Sequence, residues 1–403
     1  MLSGFLHLTR HTLLTTSIVY IEWLEYSLYL YLGTVISQYF FPTALGDNAL
    51  LFTYGIFAIS YLGRPCGGFI FGYFADKHGR RLPLIISSFL IGISTISIGL
   101  IPSYQQLGVI APLLLLLCRL VQSIAVAGEF NNASIYLIEH AKKHKILAGS
   151  WVGTAATAGM FTGCLIAFVL SQSASMGNWR LAFIITGIIS LIIMIFRSYL
   201  TESPQFVKQK LKIQSLSLYQ QTLKHKRGLL KIGLIAAFMC LYIYTCNVYF
   251  MSYMITKLNY SMSTASYYMM LVQACTTLLI PLIAMTSEHL GLHRVLKSMI
   301  PLICLMSLLL FKAASLQDHH LILLGLILYV IGDAGISATI FKYMFDALPL
   351  DFRCTGNSSI YSLAIAIVGG TAPMIAAFFI NQNLLMAPAY YICLMGLLAY
   401  LSI

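Results

Sequence analysis

The chain is a succession of long apolar stretches that are separated by short polar segments. Reading the apolar runs against the polar breaks predicts twelve helical segments, numbered here as spans 1 to 12. Their ranges are 13–40, 49–71, 82–101, 110–137, 148–171, 180–199, 229–256, 263–285, 295–314, 321–346, 355–381 and 386–403. A helix needs roughly 20 apolar residues to cross a bilayer, and nearly all of these runs provide them. The pattern therefore predicts an all-α integral membrane protein.

Composition excludes a soluble globular protein. Of the 403 residues, 59% are hydrophobic and only 9% are charged, and the mean hydropathy is +0.85. A soluble domain needs far more charge on its surface than this chain can supply. The first apolar run is too long for a cleavable signal peptide and carries acids, so we interpret it as a retained span.

The basic residues are concentrated in alternate connections between the spans. Examples are Arg80 and Arg81 after span 2, and Lys142, Lys143 and Lys145 after span 4. The positive-inside rule places these connections and both termini in the cytoplasm. The net charge of +12 is thus a topology signal, and no nucleic-acid partner is expected.

The segment Thr201–Gly228 is the only long polar connection, and it separates six spans from six. We therefore divide the chain into a six-helix bundle over 1–200, a cytoplasmic linker over 201–228 and a second six-helix bundle over 229–403. The basic run Phe206–Leu211 suits an amphipathic helix on the inner leaflet, and a solvated linker explains it equally well.

The most specific local motif runs from Gly72 to Leu82, between spans 2 and 3, and reads GYFADKHGRRL. Gly79 suits a tight turn, and Asp76 is expected near the positive end of the next helix. The motif resembles the G-x-x-x-D-x-x-G-R-R/K signature of the major facilitator superfamily. A degraded copy lies at Ser287–Arg294, and short echoes recur at Lys145–Gly149 and Arg353–Gly356. The resemblance implies two six-helix halves related by an internal repeat.

Further stretches resemble the metabolite:proton symporter branch of that family. They are Glu22–Tyr26, Gly63–Gly68, Arg119–Gln122 with Gly128 and Glu129, Glu202–Phe206, and Arg353–Gly356 with Gly369–Pro373. The chain departs from the branch at Ser123, Ala127, Glu25 and Lys145. The branch implies proton-coupled symport of a small polar metabolite across the inner (plasma) membrane, with a proline- or betaine-like osmolyte expected before an organic acid. A proton-antiport exporter and a nutrient sensor that does not transport remain alternatives.

Ionisable residues inside spans are costly, so each is a functional candidate. Glu22 and Glu25 share one face of span 1, and by residue count both lie at depths close to that of Arg119 in span 4. Protonation of Glu25 or Glu22 would release Arg119 to bind an anionic group of the substrate. A permanent structural ion pair is the alternative. Asp333 in span 10 is either a second proton or substrate site or a helix-packing acid.

Two further groups of residues complete the predicted site. Gln122, Tyr244 and Asn247 are candidates for contact with the substrate, although helix packing would explain them as well. The predicted cytoplasmic gate consists of Asp76, Gly79, Arg80, Arg81, Glu129, Glu139 and Arg353, joined by Arg64. Glu129 and Glu139 are expected to pair with loop arginines such as Arg80.

Nothing in the sequence indicates an enzyme. The ten histidines have no metal-binding spacing, and no phosphate-binding loop is present. We therefore expect no metal and no cofactor, with a proton gradient as the energy source. The expected partners are a small-molecule substrate, protons and the lipid bilayer, and we expect the chain to be a monomer.

Overall fold

The computed structural model describes residues 10–42, 48–172, 179–209 and 218–403. Within these ranges the secondary structure is helical, and nine helices are long and apolar enough to cross a membrane. The predicted linker helix starts as Pro204–Gln209, but the basic residues Lys210 and Lys212 lie outside the described residues. The chain is therefore a multi-pass membrane protein by length and composition of its helices.

The helices follow the predicted spans to within about five residues, and the span numbers are kept for them. The exception is span 2, which continues to His78, seven residues beyond its predicted end at 71, so that Gly72–His78 of the motif is helical. Spans 1 to 6 are Arg10–Tyr31 with Gly33–Phe40, Asn48–Tyr61 with Gly63–His78, Arg81–Leu100, Ile110–His140, Lys145–Gln172 and Trp179–Arg197. Spans 7 to 12 are Lys226–Thr256, Met262–Leu290, Leu292–Leu316, His319–Asp346, Arg353–Asn381 and Ala387–Ser402. Short helices also cover Tyr104–Leu107, Pro204–Gln209 and Leu218–Lys224.

Four spans are interrupted. Spans 1 and 2 break at Leu32 and Leu62, and spans 7 and 11 each contain a π-helical segment, at Tyr244–Tyr249 and Ile365–Gly369. Such π segments occur mostly as single turns within α-helices and are frequent at functional sites. The break divides span 2 into helices of 14 and 16 residues, so neither is among the nine long apolar helices of the described residues.

Glycines allow the closest contacts between spans. Gly159 and Gly163 of span 5 lie against the backbone of span 1, where an added Cβ would collide with Tyr20 and Leu24. Span 2 meets span 11 in the same way, because Gly72 lies against Thr355. The first six spans and the last six are thus in direct backbone contact at the predicted cytoplasmic end.

Leucine, isoleucine and phenylalanine side chains cover the outer faces. Span 6, for example, exposes Leu181, Ile185, Ile188 and Ile192. An apolar surface this extensive is stable in contact with lipid tails and unstable in water.

Candidate functional site

A small cavity lies between spans 1, 2 and 4. Its polar lining includes Glu22, Glu25, Arg64, Arg119 and Gln122. The acids come from one face of span 1, and Arg119, Gln122 and Val126 come from one face of span 4, because residues three or four apart are neighbours on a helix. Ionisable side chains of both signs therefore converge inside the membrane region.

Glu25 and Arg119 form the ion pair that the sequence predicts. Arg119 Nη1 lies 2.5 Å from Glu25 Oε1, and each side chain is only 5% exposed. Arg119 also donates to Gln122 Oε1 at 2.9 Å, and its guanidinium lies 4.2 Å from the centre of the Tyr29 ring. Gln122 in turn donates to Thr95 Oγ1 at 2.8 Å. Arg119 is thus held by groups that would keep it in place if Glu25 lost its charge.

Glu22 and Arg64 make up the second pair of opposite charges in the cavity. Glu22 is buried, and its Oε2 has no hydrogen-bond partner among the described residues. Arg64 is also buried, with its guanidinium 4.4 Å from the centre of the Tyr61 ring. The prediction that Arg64 joins the cytoplasmic gate is wrong. Counting back from His78 at the end of the helix puts Arg64 about 21 Å deep, which the sequence alone could have shown.

Tyr244 lies at the edge of this cavity, whereas Asn247 and Asp333 lie elsewhere. The Tyr244 hydroxyl is 2.7 Å from that of Tyr61, which lines the cavity. Asn247 instead donates to the Tyr329 hydroxyl at 3.5 Å, and Asp333 accepts from the Tyr242 hydroxyl at 2.7 Å. The structure therefore forms a second polar cluster between spans 7 and 10, separate from the cavity around Arg119.

The predicted cytoplasmic end holds a buried network around Glu139. Arg80 Nε lies 3.2 Å from Glu139 Oε2, and Arg353 Nη1 lies 3.3 Å from Glu139 Oε1. Arg80 also donates to the Leu350 carbonyl oxygen at 3.2 Å. These contacts join the loop after span 2 to span 4 and to the start of span 11, so they link the first six spans to the last six.

Asp76 makes a further connection between these parts of the chain. It lies in the last turn of span 2, and not at the start of the next helix as predicted. Its carboxylate accepts the backbone N–H groups of Cys354 and Thr355 at 3.1 and 2.7 Å, at the first turn of span 11. A carboxylate at a helix N-terminus satisfies free N–H groups and interacts favourably with the helix dipole. The helix that Asp76 caps is span 11.

The start of span 3 is capped by a residue that the sequence suggested only by resemblance. Glu202 accepts the N–H of Arg80 at 2.8 Å and that of Arg81 at 3.2 Å. Gly79 has a φ of 108° and lies against the Glu202 carboxylate, so only glycine fits there comfortably. The turn predicted at Gly79 is confirmed, and Glu202 is the side chain that closes it.

Glu129 does not belong to the same network. It pairs with Arg197, whose Nη2 lies 2.7 Å from Glu129 Oε1, and both side chains are fully buried. Ser87 donates to its other oxygen at 2.5 Å. The predicted pairing of Glu129 with Arg80 is therefore wrong. Arg197 ends span 6, and its sequence position gives no indication of the acid that it meets.

The sequence profile of the Major Facilitator Superfamily matches residues 21–373. The proline/betaine transporter of Escherichia coli (strain K12) is 28% identical, over 94% of this chain and 80% of that protein. The glycine betaine/proline/ectoine/pipecolic acid transporter OusA of Dickeya dadantii is 29% identical, over 94% of this chain and 79% of that protein.

Solved structures share the fold. The proton:xylose symporter XylE superposes with a TM-score of 0.77 at 17% identity, covering 98% of this chain and 94% of that one. The human organic anion transporter MFSD10 gives a TM-score of 0.74 at 15% identity, covering 98% of each chain. With the profile match over most of its length, this chain belongs to the Major Facilitator Superfamily.

Proposed function

We propose that this protein is a secondary active transporter that couples proton inflow to uptake of a small polar solute. The observation that carries the proposal is the buried Glu25–Arg119 pair in a cavity between spans 1, 2 and 4. A proton on Glu25 would remove the negative charge that holds Arg119. The arginine, still positioned by Gln122 and Tyr29, would then be free to bind an anionic group of the solute.

The solute class follows from the relatives and from this chemistry. The E. coli relative is named for proline and betaine, both zwitterions with a carboxylate that an arginine can bind. We therefore propose a proline- or betaine-like osmolyte as the substrate, ahead of an organic acid. Coupling requires no cofactor in this scheme, because the proton gradient supplies the energy.

The architecture that goes with this function has twelve spans in two halves, over 1–200 and 229–403, with the linker 201–228 and both termini in the cytoplasm. The halves would rock around a site near the middle of the bilayer. The Asp76 and Glu139 contacts would close the cytoplasmic side in one state and break in the other. We further propose that the protein resides in the inner membrane and works as a monomer.

Uptake into proteoliposomes tests the proposal. Labelled proline, glycine betaine, α-ketoglutarate and citrate are offered with an inward proton gradient, with and without a protonophore. Uptake of one compound that the protonophore abolishes is the expected result. Glu25→Gln should lose this accumulation but keep exchange of internal for external solute, and Asp346→Asn, near the end of span 10, serves as control. Folded and oriented protein that takes up none of the four would contradict the proposal.

A further inference from the structure

One face of span 10 is turned toward the first six spans. Asp333, Ser337 and Phe341 are spaced four residues apart and therefore share that face. The Phe341 ring packs on Phe130 of span 4, with 5.2 Å between centroids. The Ser337 backbone lies beside Gly153 of span 5, where an added Cβ would be 3.2 Å from the Ser337 carbonyl oxygen. Asp333 thus lies on the side of span 10 that borders the first half.

Asp333 is also at a depth close to that of Arg119. Spans 4 and 10 run in the same direction, because five spans, an odd number, lie between them, and the Phe130–Phe341 contact marks a common level. Asp333 precedes Phe341 by eight residues and Gln122 precedes Phe130 by eight, about 12 Å along each helix. Gln122 is hydrogen-bonded to Arg119 at 2.9 Å. An acid and a base therefore face the boundary between the halves at similar depth.

The environment of Asp333 suits a cationic ligand. Its carboxylate accepts from the Tyr242 hydroxyl at 2.7 Å and from Ser337 Oγ at 3.5 Å. The ring centroids of Tyr242 and Tyr329 are 6.2 Å apart, and both side chains are buried. No basic side chain of the described residues forms an ion pair with Asp333. A buried carboxylate without a cation is costly, and tyrosine faces attract ammonium groups.

Asn247 gives an independent indication that this cluster receives a ligand. It lies in the π-helical segment of span 7, is only 2% exposed, and contacts the Tyr329 hydroxyl through its Nδ2. Its Oδ1 has no hydrogen-bond partner among the described residues. A buried amide oxygen without a partner costs free energy that an N–H or polarised C–H donor of a ligand would recover.

We propose that Asp333, with Tyr242, Tyr329 and Asn247, binds the ammonium group of a zwitterionic substrate whose carboxylate binds Arg119. This rests on the proposed function, in which a proton on Glu25 frees Arg119. The cavity around Arg119 would then carry one net positive charge, because Glu22 and Arg64 balance each other, and Asp333 carries one negative charge opposite. A zwitterion fits that arrangement, whereas an organic dianion would meet repulsion from Asp333. The bound substrate would bridge the two halves.

Binding to the purified full-length protein tests this assignment by calorimetry. The ligands are glycine betaine, proline and 3,3-dimethylbutanoate, which has the shape of betaine but a carbon atom in place of the charged nitrogen. Asp333→Asn should weaken betaine binding by about thirtyfold or more, as loss of a buried charge partner does, and leave 3,3-dimethylbutanoate binding unchanged or tighter. Asp346→Asn makes the same change at the exposed end of span 10 and, as the control, should change neither affinity.

Other outcomes would overturn the assignment. Unchanged betaine affinity in Asp333→Asn would mean that the acid carries a proton or packs helices. Equal loss of both ligands would mean a general disruption of the site. Wild-type protein that binds 3,3-dimethylbutanoate as tightly as betaine, or that binds neither zwitterion, would also refute it. If Asp333→Asn does not fold, two measurements replace it. They are betaine binding by Asn247→Leu and the preference of the wild-type protein for betaine over 3,3-dimethylbutanoate.

The proposed function can fail separately. Wild-type protein that prefers betaine over 3,3-dimethylbutanoate but shows no proton-driven uptake would refute symport and leave the ammonium site standing. Proton-driven uptake with no preference for the charged nitrogen would refute the ammonium site alone.

Discussion

Asp76 and Glu288 occupy matching positions in the two copies of the family motif, and each caps a helix in the other half of the chain. Asp76 accepts the N–H groups of Cys354 and Thr355 at the start of span 11. Glu288 accepts those of Ile146 and Leu147, at 2.6 and 3.2 Å, at the start of span 5. The degraded second copy therefore keeps the acid that makes this contact, and the two caps join the first six spans to the last six at the predicted cytoplasmic end.

Removing the charge of Asp76 should loosen that end. We expect Asp76→Asn to raise the rate at which N-ethylmaleimide modifies Cys354 by about fivefold, since a helix cap contributes about 1 kcal/mol. Cys354 is buried and lies directly at the contact, so it reports opening without an added label. Mass spectrometry of the Cys354 peptide measures the rate, with Asp346→Asn as control.

Glu288→Gln should raise Cys354 modification as well, although Glu288 caps span 5 and not span 11. The physical reason is that both caps stabilise one closed state, so weakening either shifts the same equilibrium. An unchanged rate in Glu288→Gln, with a raised rate in Asp76→Asn, would show that the two caps act independently.

A methyl group at Gly72 should also hold the cytoplasmic end open. A Cβ at this position would lie 2.7 Å from the Cα of Thr355, and a backbone atom cannot move aside as a side chain can. Gly55→Ala in the same span is the matched control, because its Cβ would meet nothing within 4 Å. Both variants gain the same helix propensity. Faster Cys354 modification and slower uptake in Gly72→Ala, but not in Gly55→Ala, would therefore show that the close contact with Thr355 is the cause. Equal behaviour of the two would contradict it.

Hydropathy located nearly all span ends within about five residues, because a bilayer crossing requires a long apolar run whatever its partners are. The end of span 2 was missed by seven residues, since the polar turns up to His78 remain helical. It also brought Glu25 and Arg119 to one depth, and the structure places them in contact. Side-chain partners were less predictable. Asp76 was assigned to the helix that follows it in sequence, but its partner is 278 residues away at Cys354. No local pattern could indicate that distance.

Glu22 and Arg64 should depend on each other for transport. Arg64→Met leaves Glu22 as an uncompensated buried acid, so we expect a large loss of uptake, and adding Glu22→Gln should restore part of it. The uptake rates of the wild type, the two single variants and the double variant give a coupling free energy, which should be about 1–3 kcal/mol. The residues do not interact if uptake by the double variant, relative to the wild type, equals the product of the relative uptakes of the two single variants.

Arg197 should matter to stability more than to gating. Its guanidinium donates to the Leu14, Thr15 and Leu84 carbonyl oxygens and to Ser88 Oγ, besides pairing with Glu129, so it joins spans 1, 3, 4 and 6. Arg197→Met should therefore destabilise the protein by about 3–5 kcal/mol, because Glu129 is left buried without a cation. Thermal unfolding in detergent measures the effect.

A second substitution separates the lost charge partner from the lost hydrogen bonds. Adding Glu129→Gln to Arg197→Met should recover part of the stability, because the amide carries no charge to bury. Arg180→Met is the control within span 6. Arg180 is partly exposed, and among the described residues it donates to the Gly99 and Ile101 carbonyl oxygens alone, so its loss should cost about 1 kcal/mol per bond. The contrary result is an Arg197→Met protein that unfolds at the wild-type temperature but whose Cys354 reacts faster with N-ethylmaleimide. That result would place the Glu129–Arg197 pair in the cytoplasmic gate.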